Sequence, residues 1–84
     1  MNAQQLSKNL AQAGFTRRTW SAVKGSGRSR ATNGFEITSN EDTIEVVVRH
    51  HNEAIIENVH SAVLGFGFQK VAERGSVRIY KATN

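Results

Sequence analysis

The stretch FEITSNEDTIEVVVRHHNEAIIENVHSAVLG, residues 35–65, decides the fold. Its first half has the period of two that a strand imposes. Phe35 and Ile37 face one way and Glu36 and Thr38 the other, and after a polar turn at 40–42 the alternation resumes through Ile44, Val46 and Val48. Two such runs across a short turn predict an antiparallel pair, 35–39 with 43–49. The second half changes period. Ile55, Val59, Ala62 and Val63 form the stripe of an amphipathic helix over 52–64, with Asn52 as cap, Glu53 and Glu57 near its positive end and Gly65 as its stop. A hairpin leading into a helix with an apolar stripe gives an α+β domain.

Working outward, Ala3, Leu6, Leu10 and Ala13 predict a first helix over 3–13 that Gly14 closes, with Phe15 packing back on its last turn. An extended stretch follows over 16–23. KGSGRSRATNG, residues 24–34, has no apolar period and reads as a mobile surface loop. Downstream, 66–72 and 77–82 read as a final hairpin across Arg74 and Gly75, with Val77 and Ile79 on one face and Arg78 and Tyr80 on the other. The expected architecture is one domain over 1–84, in the order αβββαββ. Its antiparallel sheet of about five strands carries two helices on one face. An internal echo accompanies it: Leu6, Leu10, Gly14, Phe15 and Arg17 recur as Val59, Val63, Gly67, Phe68 and Lys70.

With 84 residues, 38% of them apolar and 21% charged, the chain is globular by composition. A chain this small buries only about 60 to 65% of its unfolded surface. It contains no cysteine, which removes disulfides and thiolate metal or redox chemistry. MNAQQLSKNL lacks a charged segment followed by a long apolar one, and no run is long enough to span a bilayer. The expectation is a cytoplasmic protein without membrane contact.

Charge is segregated along the chain. The first 35 residues hold six bases, Lys8, Arg17, Arg18, Lys24, Arg28 and Arg30, and no acid; residues 36–57 hold six acids against Arg49 alone. The net charge of +4 therefore hides a dipolar molecule able to orient an anionic partner. Guanidinium groups on a Gly/Ser scaffold suit phosphates, because each donates two charge-assisted hydrogen bonds. The candidate nucleic-acid-binding residues are Lys24, Arg28 and Arg30 on the loop, Arg17 and Arg18 beside it, and Arg78 with Tyr80. Such a loop would enter a groove or clamp a backbone. Trp20, Phe66 and Phe68 are expected in the core, where aromatic side chains supply much of a small domain's burial. Tyr80 is the ring expected at the surface.

No catalytic set accompanies this patch. His50 and His51 are adjacent, so an extended backbone sends them to opposite faces, and His60 lies on the helix; a helix-entry or surface role is expected, with His51 near the Asn52 cap. GSG at 25–27 lacks the Gly-Lys-Ser/Thr ending of a phosphate-binding loop. Neither metal nor cofactor is expected.

QQLSKNLAQAGFTRRTWSAVKGSG, residues 4–27, resembles the opening of HicA-type messenger-RNA-cleaving toxins. Their small αβββα fold is similar to double-stranded RNA-binding domains. The resemblance implies that fold and an RNA-facing loop. The family's catalytic His directly follows Gly-Ser, whereas Gly27 follows Gly25-Ser26 and Val77 follows Gly75-Ser76, so catalysis is not implied. Nor does Asn52-Glu53 match the basic helix start of the RNA-binding domains. The reading is non-catalytic binding of RNA or DNA; the alternative is a small interaction or inhibitor protein, of the kind phages and mobile elements encode, that docks on an acidic protein surface.

Overall fold

A computed structural model describes residues 2–23, 25 and 27–83, those at 21–23 and 28–31 by their backbone alone. The elements are α1 (Ala3–Gln12), β1 (Trp20–Val23), β2 (Arg28–Ala31), β3 (Gly34–Asn40), β4 (Thr43–Arg49), α2 (Glu53–Gly65), β5 (Phe68–Arg74) and β6 (Val77–Ala82). The fold is α+β. In place of the expected sheet of about five strands, a four-stranded antiparallel sheet has the order β3-β4-β6-β5, and β1 and β2 form a separate two-stranded ribbon. The order αβββαββ is corrected to αββββαββ, because the expected 24–34 loop contains β2. Polar residues need no apolar period to pair when the ribbon they form is not covered by a second layer.

The local signals explain both helices. Asn2 Oδ1 accepts from the Gln5 N–H at 2.8 Å and Gln5 Oε1 accepts from the Asn2 N–H at 3.1 Å, a reciprocal box that satisfies two otherwise unpaired donors at the start of α1. Gly14, at φ +101°, then turns the chain so that the Phe15 N–H reaches Leu10 O at 3.1 Å. The corresponding residue after α2 is Gly67, at φ +96°. The helix therefore runs through Gly65, and β5 starts at Phe68, two residues beyond the expected strand start.

Both helices contribute to one core on one face of the sheet. Leu6 and Leu10 of α1 and Val59 and Val63 of α2 pack with Phe35, Ile44, Val46, Val48, Phe68 and Tyr80. Register determines which side of β6 joins them. Ile44 pairs with Tyr80 and Val46 with Arg78, so Arg78 and Tyr80 share the helix-covered face, and Val77 and Ile79 take the other. The expected alternation on β6 is present with its faces exchanged. Among the described residues no helix is long and apolar enough to cross a membrane, and no cluster of three or more His, Asp or Glu could hold a metal.

Candidate nucleic-acid interface

The ribbon begins where the chain crosses itself. The Phe35 N–H donates to Thr16 O at 3.0 Å and the Arg18 N–H to Phe35 O at 2.8 Å, so Thr16–Arg18 runs beside the outer edge of β3. Gly34 makes this approach possible: a Cβ at that position would lie 2.5 Å from Thr16 O and 2.6 Å from Arg18 N. A threonine pair then closes the base of the ribbon. The Thr32 N–H donates to Thr19 O at 2.8 Å, and the Thr19 N–H to Thr32 Oγ1 at 2.9 Å. Beyond this clamp β1 and β2 pair from Trp20 with Ala31 to Val23 with Arg28. Arg28 and Arg30 occupy alternate positions of β2, opposite Val23 and Ser21. Their side chains and the whole of Lys24 lie outside the described residues.

Arg17 and Arg18 differ in their surroundings. Arg17 is exposed and its Nε donates to Ser7 Oγ at 2.9 Å, a neutral partner, and it has no ion pair among the described residues. Arg18 is 17% exposed; its Nη1 lies 3.5 Å from Glu36 Oε2, and its guanidinium sits 4.5 Å from the centroid of the Trp20 ring. Trp20 is 57% exposed, which corrects its expected place in the core. It stands on the ribbon, which is separate from the four-stranded sheet that carries the core. Sequence spacing did carry a signal: residues 18 and 20 are alternate positions of an extended segment, where side chains share a face.

Two candidates fall away from the interface. Tyr80 is buried, and its hydroxyl lies 2.8 Å from His60 Nδ1, so it is no surface ring. Arg78 forms a bidentate pair with Glu57, at 2.6 and 3.3 Å, and its Nε reaches Glu73 Oε1 at 3.0 Å. It thereby ties α2 to β5. Lys70 and Arg74 also pair with acids, Glu73 and Glu45. Acidic groups thus pair with Lys70, Arg74 and Arg78 of the basic tail.

Of the histidines, His50 takes the expected helix-entry role and His60 departs from it. His60 is buried, and its pKa is pushed down to about 4, chiefly by burial and then by the positive charge of Arg78. The rings of His50 and His51 stack 4.6 Å apart instead of diverging. His50 meets the cap, its Nδ1 accepting from the Asn52 N–H at 2.9 Å, while His51 Nδ1 accepts from Asn33 Nδ2 at 3.3 Å. A cleft of about 330 Å³ lies beside His50, between Phe15, Gly34 and Val59, and its lining contains no Lys, Arg, Asp or Glu.

Comparison of the chain with protein-family models, with curated proteins and with solved structures finds no match.

Proposed function

We propose that the protein binds nucleic acid without catalysing a reaction on it, using Arg17, Lys24, Arg28 and Arg30 as phosphate contacts on and beside the β1–β2 ribbon. The observation that carries this reading is the separation of charge from architecture. The acid-free opening segment supplies a ribbon whose strands, among the described residues, pair with each other and not with the four-stranded sheet, while acids pair with Lys70, Arg74 and Arg78 of the tail and with Arg18 of the opening segment. Phosphate contacts need cations on an accessible scaffold and carry no sequence information, so RNA and DNA are both within this reading. The toxin-like opening of residues 4–27 agrees with an RNA-facing ribbon. Arg18 has a different part, since Glu36 and Trp20 hold its guanidinium in place.

The test is the triple change of Lys24, Arg28 and Arg30 to Ala. Affinity for oligonucleotides should fall with the melting temperature nearly unchanged. Unchanged affinity would overturn the proposal, and a large loss of stability would assign the three side chains to the fold.

A further inference from the structure

We propose that Trp20 is a stacking platform for an unpaired base, which makes single-stranded RNA or DNA the ligand of the ribbon. This rests on the phosphate-binding reading above and adds the part of the nucleotide that phosphate contacts leave unread. Trp20 is the sole tryptophan, and it is 57% exposed. One face of its ring is covered by the Arg18 guanidinium at 4.5 Å from the centroid. At 57% exposure the residue keeps much of its surface open to solvent despite that contact. Arg18 does not move freely beneath it, because Glu36 Oε2 holds Nη1 at 3.5 Å and the Arg18 backbone is bound to Phe35 O at 2.8 Å. The indole is thus preorganised from below, and a ligand ring that stacks on it need not pay to order it.

Charge selects what that ring will be. The indole lies within the acid-free segment, between Arg17 on one side in sequence and Arg28 and Arg30 on the paired strand, so a partner that brings its own π-face together with anions fits best. A nucleotide does both. Bases within a duplex are already stacked on one another and present only their edges, whereas an unpaired base offers a free face. Stacking of this kind tolerates any base, because every base has a π-face.

The probe is the fluorescence of Trp20 itself, titrated with a mixed-sequence single strand of about 12 nucleotides, the matching duplex, and an abasic strand of equal charge. The single strand should quench the indole and, read by the anisotropy of a dye-labelled strand, bind about tenfold more weakly to Trp20→Ala, with Trp20→Phe recovering most of the loss. The abasic strand should bind the wild type and Trp20→Ala alike, and the salt dependence of binding should be the same in both. Equal quenching by duplex and single strand would overturn the proposal. So would a Trp20→Ala variant that binds the single strand as tightly as the wild type. If strands bind with a strong salt dependence but without quenching, stacking alone fails; if none binds at low salt, the phosphate reading fails with it.

Discussion

The Tyr80 hydroxyl lies 2.8 Å from Nδ1 of His60 inside the core, joining β6 to α2 through two polar side chains buried among aliphatic ones. Arg78 also interacts with the hydroxyl, so it is the loss of the tyrosine oxygen that would strand His60 Nδ1. Tyr80→Phe should cost about 1–3 kcal/mol, the desolvation penalty of an unpaired buried group, measured as a shift in urea midpoint at constant m-value.

The same pair gives stability a pH dependence. The folded pKa of His60 is depressed from 6.5 to about 4, so the unfolded chain binds its proton first as pH falls. The stabilisation is complete above about pH 6.5 and declines between there and about pH 4, by on the order of 3 kcal/mol. Glu57 acts in a lower window: Arg78's hydrogen bonds hold its carboxyl below 4.5, so its contribution is lost only as pH falls further. Urea unfolding at pH 7, 5.5 and 4.5 checks this, and His60→Leu should flatten the upper part of the profile.

Gly34 tests the crossing that launches the ribbon. Its φ is +148°, and an added Cβ would meet backbone atoms of Thr16 and Arg18 at 2.5 to 2.6 Å. Those atoms belong to a hydrogen-bonded segment and have no rotamer to change. Gly34→Ala should destabilise by about 3 kcal/mol or more, read from thermal or urea unfolding.

Glu41 marks the opposite case. It is the one non-glycine among the described residues with a positive φ, 51°, at the turn joining β3 and β4. No neighbour requires a glutamate there: neither a hydrogen bond nor an ion pair of its side chain is seen among the described residues. Glu41→Gly should therefore raise stability by up to about 1 kcal/mol, seen as a higher melting temperature.

Arg78 separates fold from function. Its pairs with Glu57 and Glu73 connect α2, β5 and β6, and they lie on the helix-covered face. Arg78→Ala should lower the melting temperature and leave oligonucleotide affinity nearly unaltered, whereas Arg17→Ala should do the reverse.

What could be read from the chain before its structure follows the strength of local signals. Residues 35–65 state their own architecture, since strand alternation and a helical stripe each repeat several times and Asn52 caps where it should. The two caps of α1 are equally local. The facing of β6 was not legible, because Val77 and Ile79 are as apolar as an inward face would be. Only the pairing of Ile44 with Tyr80 shows that a tyrosine and an arginine turn inward, where His60 and Glu57 supply their partners. The ribbon was hidden for a related reason. A two-stranded element with no second layer has no apolar period to display, and its glycines and arginines read as a loop. Trp20 then looked like core because size is a guide to burial only where there is a core to enter.

The central claim is that Arg17, Lys24, Arg28 and Arg30 hold phosphates, and the salt dependence of oligonucleotide binding measures it most directly. Four neutralised phosphates predict that log K falls with log salt at a slope of about −2.8 on a single strand, and the triple change of Lys24, Arg28 and Arg30 to Ala should reduce it to about −0.7. A wild-type slope near zero, or a slope that the triple variant leaves unchanged, would contradict the account.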